Sequence, residues 1–172
     1  MWNRLARWCV LSVAILFLFS LPLTCSAITP TSAGSLQLTI TASYASFTVH
    51  GELENAVIYP NNSVSMMFTI NDKVLVHGYS SQIMMNGTLD GMRTGSSLAG
   101  PMSLVGEFCI QVCADVGYVG KGQWSGALNQ TGGSGTIQGM ITVTKSSFEF
   151  VAVGATSTFK GTWSADFQPP PA

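Results

Sequence analysis

The chain has 172 residues, of which 47% are hydrophobic and only 9% charged, and its formal net charge is −1. Its seven Lys and Arg residues form no cluster along the sequence, so nothing in the sequence predicts binding to nucleic acid or to an anionic membrane. The length suits a single domain that can bury a hydrophobic core.

Residues 1–27 have the pattern of a secretory signal peptide. Arg4 and Arg7 precede an apolar stretch at 11–23, and Cys25-Ser26-Ala27 places small residues at a cleavage site. We expect cleavage after Ala27 and a secreted or extracytoplasmic protein. The alternative is a retained N-terminal anchor, which would be the chain's only attachment to a membrane. Cleavage would remove both arginines and shift the net charge from −1 to −3.

Residues 28–168 are predicted to form one all-β domain, followed by a Pro-rich tail at 169–172. Short alternating segments between turn signals indicate strands joined by short connections. The predicted strands are 36–42, 45–53, 56–59, 64–70, 73–79, 82–92, 102–112, 117–128, 135–144, 148–153 and 157–167. The turn signals are Pro60–Ser63, Asn71–Asp72, Arg93–Ser97, Asn129–Ser134, Lys145–Ser147 and Gly154–Ser157.

An apolar–x–Gly–x–apolar unit recurs along these strands. Its clear copies centre on Gly51, Gly106, Gly139 and Gly161, with looser copies at Gly78, Gly91 and Gly122. Strand side chains alternate between two faces, so each glycine shares a face with its apolar flanks. Glycine recurs in this way where a sheet bends or closes. We therefore predict a small antiparallel β-barrel, up-and-down or Greek key, with a two-sheet β-sandwich as the alternative. The glycines favour an apolar interior over the reversed, lipid-facing arrangement.

One pentapeptide occurs twice. Lys121-Gly-Gln-Trp-Ser125 and Lys160-Gly-Thr-Trp-Ser164 agree at four of five positions. The repeat resembles the Gly-x-Trp strand motif of lipocalin-like barrels, in which the tryptophan closes one end. This resemblance covers only the two pentapeptides and implies architecture alone. Independent packing of a tryptophan beside an inward glycine would give the same pattern.

The predicted exported part has two cysteines, Cys109 and Cys113. We predict a disulfide between them, because exported cysteines are usually paired. In a strand, residues four apart lie about 13 Å apart, whereas a disulfide needs Cα atoms within about 7 Å. A local bridge therefore requires the chain to leave strand geometry here. Free or intermolecularly paired thiols are the alternative. The C-x-x-x-C spacing also occurs in copper sites, but Gly117 stands where the copper-A loop carries a histidine, so we predict no metal or other cofactor.

No motif for a catalytic nucleophile, a zinc site, a phosphate loop or a calcium loop appears. His50 and His77 each lie in a Val-His-Gly tripeptide on the face opposite their apolar neighbours, which predicts exposure to solvent. An acid–base role for His50 would need a partner such as Glu52 on the same face. Three glycosylation sequons occur, at Asn61, Asn86 and Asn129.

These features favour an exported, non-enzymatic β-barrel that binds a small apolar ligand or a cell-surface partner. The residues expected to line an interior ligand site are Met66, Phe68, Phe108, Trp124, Ile141 and Trp163. One alternative is a structural or adhesive cell-surface protein. Another is an enzyme of the cyclase or dirigent type, in which a shaped barrel cavity steers a reactive intermediate; that link is an analogy of fold alone.

Overall fold

The computed structural model describes residues 32–43, 45–76, 78–110, 114–130, 132–149 and 151–169. The predicted signal peptide, His77 and Cys113 lie outside these ranges. The described residues form eight strands: β1 (Ser32–Thr41), β2 (Ser46–Ile58), β3 (Ser63–Val76), β4 (Tyr79–Thr94), β5 (Ser97–Ile110), β6 (Ala114–Leu128), β7 (Gly133–Ser146) and β8 (Thr156–Ala165). None of these residues belongs to a helix long and apolar enough to cross a membrane.

The eight strands close into one antiparallel barrel in chain order. Each strand pairs with the strand before and after it, and β1 pairs with β8 from Gly34↔Ala165 to Thr41↔Thr158. The prediction of a small antiparallel barrel is therefore confirmed in its up-and-down form, and the Greek-key and sandwich alternatives are wrong. Closure leaves no sheet edge unpaired.

The structure differs most from the predicted strands in three places. The segments 45–53 and 56–59 are one strand, β2, which a bulge interrupts between Glu54 and Val57. Asn71–Asp72 is not a turn, because β3 pairs with β4 without interruption along its whole length and this pairing outweighs the local turn preference. Residues 148–153 include no strand among those described. The turns at Pro60–Ser63 and Arg93–Ser97 are confirmed.

Gly78 differs from the other predicted strand glycines. It lies in the connection between β3 and β4 with a φ of 83°, a left-handed conformation that glycine adopts without steric penalty. Its place in the apolar–x–Gly–x–apolar series was therefore wrong, and it is a turn residue. Gly51, Gly106, Gly139 and Gly161 do lie inside strands, in register with inward-facing neighbours.

The apolar face of every strand points into the barrel. On β3, for example, Val64, Met66, Phe68 and Ile70 are at most 2% exposed, while the residues between them are polar or outward-facing. Outward positions carry mainly Ser, Thr, Gln and charged side chains. The orientation predicted from the glycines, with the apolar face inside, is confirmed.

The barrel has two different ends, which we name by the course of the chain. At the entry rim, β1 begins at Ser32 and β8 ends at Ala165. Phe167 packs edge-on against Trp163 there, with ring centroids 6.4 Å apart. The Gln168 amide donates to the Ala56 carbonyl at 2.8 Å, so the chain crosses this rim after β8.

The far rim is the opposite end, where β1 ends and β2 begins. Phe47 of β2 and Phe108 of β5 stack there with centroids 6.3 Å apart and planes 16° apart. Because β2 and β5 are not neighbours in the sheet, the two rings meet across the interior of the barrel.

Candidate functional site

All six residues predicted to line an interior ligand site face the barrel interior. Met66, Phe68, Trp124, Ile141 and Trp163 belong to one cluster of buried apolar side chains, and Phe108 packs against that cluster. The structure therefore brings the six residues into a common core. Their role as ligand contacts stays a prediction.

The two tryptophans of the repeated pentapeptide make the same contacts in two places. Trp124 on β6 donates its indole N–H to the Asp90 carbonyl on β4 at 2.9 Å. Trp163 on β8 donates to the Ser125 carbonyl on β6 at 3.1 Å. Each indole thus reaches past one strand to hydrogen-bond the next. The two rings also touch edge to face, with centroids 5.4 Å apart and planes 85° apart, which is a favourable aromatic geometry.

Each tryptophan crosses the intervening strand at a glycine. Trp124 is in register with Gly100 on β5, and Trp163 with Gly135 on β7. An added Cβ on Gly126, the partner of Gly135, would lie 2.5 Å from Cζ2 of Trp163. The space that these glycines leave is therefore occupied by aromatic rings.

Tyr118 repeats this arrangement nearer the far rim. It is in register with Gly106, and its hydroxyl is within 3.3 Å of the Met84 carbonyl and 3.4 Å of the Glu107 carbonyl, to which it donates. Burial, with the charge of Glu107 as a second cause, raises the pKa of Tyr118 well above its usual range. The phenol therefore stays protonated and acts as a structural hydrogen-bond donor.

His50 is exposed as predicted, and its partner is Asp72 rather than Glu52. The imidazole Nδ1 lies 3.4 Å from Oδ2 of Asp72, with side-chain exposures of 69% and 29%. The carboxylate also accepts the backbone N–H groups of His50 at 2.9 Å and Lys73 at 2.8 Å. Burial alone would raise the pKa of Asp72, but these hydrogen bonds outweigh burial and lower it. The pair lies just beyond Gly51↔Ile70, the last register pair of the β2–β3 ladder. Its hydrogen bond joins the two strands at this end.

The remaining predicted site residues are dispersed. Cys109 lies near the end of β5, and residues 111 and 112, to which this strand was predicted to continue, lie outside the described residues. Asn61 and Asn129 lie between strands, as predicted, and each side-chain oxygen accepts a local backbone N–H. Asn86 is exposed in the middle of β4. Among the described residues, no three His, Cys, Asp or Glu side chains converge to hold a metal ion.

A groove of about 600 Å³ lies on the outer surface, where β6, β7, β8 and β1 run side by side. Its polar lining combines two ammonium groups, two amides and three hydroxyls. The lining residues are Thr39, Thr41, Lys121, Gly122, Gln123, Gln138, Gly139, Met140, Thr158, Phe159 and Lys160. No Asp or Glu is among them.

The groove residues form two rows across the four strands. One row is Gln123↔Gln138↔Lys160↔Thr39, and the next is Lys121↔Met140↔Thr158↔Thr41. Neighbouring strands lie about 4.8 Å apart, so each row spans about 14 Å and the two lysine Cα atoms are about 12 Å apart. The structure pairs neither lysine with a carboxylate within the part of the chain it describes.

The backbone itself forms the bottom of this groove. Gly122 and Gly139 are direct register partners at inward-facing positions, so only backbone faces the groove between its two outward rows. The ring of Phe159, which is 2% exposed, lies against both glycines from the interior. The floor is thus fixed by the packed core, and the polar walls rise on either side.

The sequence analysis did not predict this groove, although the two copies of the pentapeptide contain both of its lysines. The inward residues of the repeat, glycine and tryptophan, indicate packing and say nothing about the outer surface. The outward first residue of the repeat is Lys121 in one copy and Lys160 in the other, and β6 and β8 flank β7 in the barrel. The two lysines are 39 positions apart in sequence numbering, so only the pairing of the strands reveals that they share a surface. The chain matches no family model, no curated protein and no solved structure.

Proposed function

We propose that this protein is a binding module whose ligand occupies the outer groove formed by β6, β7, β8 and β1. One observation carries the proposal: a concavity of about 600 Å³ interrupts the outer surface and is lined by converging ammonium, amide and hydroxyl groups. Ligand sites in proteins are typically concave, and polar groups in their lining orient the ligand. With a signal peptide cleaved after Ala27, binding would take place outside the cytoplasm.

The groove is a better candidate than the interior because it is open without rearrangement. A ligand in the interior near the entry rim would have to displace Trp124 and Trp163, which are each 2% exposed and hydrogen-bonded. Truncating one such buried aromatic side chain typically destabilises a protein by about 3–5 kcal/mol. Occupying the groove only requires displacing water from side chains that already face it.

Amide chemical shifts of the ¹⁵N-labelled protein test this proposal. The probes are trigalacturonate, maltotriose, tetra-alanine and palmitate, which represent acidic sugars, neutral sugars, peptides and apolar ligands. We expect at least one polar probe to shift the amides of Gly122, Gln138 and Gly139. The variant Gln138→Trp fills the groove and should abolish these shifts. Its control, Ser134→Trp, adds the same ring to an outward position of β7 outside the lining.

Two results would overturn the proposal. One is that no probe shifts the groove amides. The other is that only palmitate acts and shifts the amides of Met66 and Trp124, which would assign the ligand to the interior. Equal effects of the two tryptophan variants would show that the shifts arise elsewhere on β7.

A further inference from the structure

We infer that the ligand of the groove is an acidic saccharide, a short chain of sugar rings that carry carboxylate or sulfate groups. This inference rests on the proposed binding function and names the class of its ligand. It follows from three properties of the groove: its uncompensated charge, its ladder of amides and hydroxyls, and the absence of an outward aromatic ring from its lining.

The charge of the groove is positive although the protein is slightly acidic overall. Lys121 stands on β6 in one row of the groove and Lys160 on β8 in the other, and no carboxylate lines the groove. Two of the chain's seven basic residues therefore act on one volume of about 600 Å³. A neutral ligand would use neither charge, whereas a ligand with two separated anionic groups could contact both lysines at once.

The groups between the lysines suit sugar hydroxyls. Gln123 and Gln138 are register partners on β6 and β7, and each amide offers both donors and an acceptor. Thr39 follows on β1 beyond Lys160. This row of about 14 Å presents alternating donors and acceptors over the length of a few sugar rings. A simple inorganic anion would leave most of these amides and hydroxyls without a ligand contact.

The apolar part of the lining argues against a neutral saccharide. Neutral sugar rings are commonly held by an aromatic side chain stacked on the ring face. The lining contains one aromatic residue, Phe159, and its ring faces the core. Met140, which is 55% exposed, supplies the outward apolar contact. In this groove, charge must therefore provide the selectivity that aromatic stacking provides in sites for neutral sugars.

Calorimetry with the purified protein tests the inference. The acidic probes are trigalacturonate and a heparin-derived tetrasaccharide, the neutral probe is maltotriose, and tripolyphosphate supplies charge without sugar. We expect at least one acidic saccharide to bind about tenfold more tightly than maltotriose, because each exposed ion pair contributes up to about 1 kcal/mol. It should also bind more tightly than tripolyphosphate, because the sugar hydroxyls add contacts with the amides and threonines that an inorganic anion lacks. The affinity should fall severalfold between about 20 mM and about 300 mM salt.

A charge-matched pair of double variants locates the effect. Lys121→Gln with Lys160→Gln should reduce the affinity for the acidic saccharide about tenfold. Lys73→Gln with Arg93→Gln changes the net charge equally on β3 and β4, across the barrel from the groove, and should leave the affinity within about twofold. Circular dichroism should show that both double variants are folded.

The contrary outcomes separate this inference from the proposed function. If maltotriose or tetra-alanine binds the groove as well as the acidic probes do, the ligand class is wrong and the groove remains a binding site. If tripolyphosphate binds as tightly and with the same dependence on the lysines, the groove recognises anions without regard to sugar and the inference is wrong. If neither acidic saccharide binds, the inference is also overturned.

Discussion

Gly139 shows at the scale of one residue why this chain uses glycine inside its strands. It is in register with Phe159 on β8 and with Gly122 on β6. The phenylalanine ring covers both glycines, in the way that cross-strand aromatic residues cover glycine in designed sheets. Four other inward glycines are also in register with an aromatic residue. These register pairs are Gly87↔Phe68, Gly100↔Trp124, Gly106↔Tyr118 and Gly135↔Trp163.

Replacing Gly139 with alanine should destabilise the barrel by about 1–3 kcal/mol, the usual effect of overpacking. The new Cβ would lie 2.5 Å from Cζ of Phe159 and 2.6 Å from Cα of Gly122. Equilibrium urea unfolding measures the change. The control is Gly117→Ala on β6, where the nearest atom would be 3.4 Å away and the gain in strand preference should leave stability equal or higher. Equal destabilisation by both variants would contradict the role of the ring.

Asp72 should make stability depend on acid. Its native pKa is lowered, so the folded state holds the proton less tightly than the unfolded chain, whose aspartate pKa is about 3.9. The stabilisation is therefore present above about pH 4 and is lost as the pH falls through the native pKa.

The variant Asp72→Asn should show a smaller loss of stability between pH 7 and pH 3 than the unsubstituted protein, measured by urea unfolding. The main partners of the carboxylate are backbone N–H groups, which His50→Gln retains. We therefore expect His50→Gln to keep most of the acid dependence. A full loss in that variant would show that the imidazole is the main partner.

At the scale of elements, β6 and β8 carry the repeated pentapeptide, which places a tryptophan on the inward face and a lysine on the outward face of each strand. The inward face supplies a tryptophan that hydrogen-bonds a carbonyl two strands away. The outward face supplies a lysine that lines the groove. Because the same five residues fix both faces, the positions of the lysines follow from the packing of the tryptophans.

Tryptophan-to-phenylalanine changes should measure what the indole N–H and the larger ring contribute together. Trp124→Phe and Trp163→Phe each remove an indole N–H that donates to a carbonyl, at 2.9 Å and 3.1 Å, and each reduce the size of a buried ring, so each should destabilise by about 1–3 kcal/mol. The double variant should depart from additivity because the rings touch. Tyr118→Phe, whose hydroxyl contacts are 3.3 Å and 3.4 Å, should have a smaller effect. The reverse order in urea unfolding would contradict this assignment.

The sequence predicts the elements well where alternation is regular and fails where tertiary pairing overrides local preference. Asn71–Asp72 has the composition of a turn, yet β3 continues through it because β4 is in register on its other side. Asn55, with a φ of 51°, marks a bulge inside β2 that reads in sequence as a break between two strands. Both errors arise because pairing with the neighbouring strand decides the structure at these positions, and the local sequence does not show that pairing.

The candidate site was predictable only in part, for the same reason. Inward residues such as Met66 and Trp124 follow from alternation within one strand. The groove depends on which strands lie side by side, since Thr39 and Lys160 come from opposite ends of the chain and meet only because β1 pairs with β8. The alternation of side chains along a strand shows which face a residue is on, but the closure of the barrel determines which residues of other strands lie beside it.

At the scale of the whole molecule, the barrel is closed, so the same strands can lie side by side whichever loop holds the chain ends. A circular permutant that joins Pro169 to Ser32 through a short Gly/Ser linker and opens between Gly95 and Ser96 should fold. Both joined ends are at the entry rim, and the cut falls in the turn between β4 and β5. Far-ultraviolet circular dichroism and urea unfolding should show a strand spectrum and one cooperative transition.

The matched control joins the same ends and opens between Gln138 and Gly139, in the middle of β7. This cut divides the ladders to both β6 and β8, so we expect no cooperative unfolding. Failure of the first permutant, or equal stability of the two, would contradict the view that paired strands rather than chain order hold the barrel.

The separation of the entry rim from the groove has a practical consequence. Thr41, which lines the groove, is the last residue of β1 at the far rim, whereas Ser32 and Ala165 are at the entry rim. A reporter domain fused after Pro169, or a bead coupled there, would stand off from Thr41 by the length of β1. The molecule can therefore be immobilised at one rim while the groove on its side stays open to solvent.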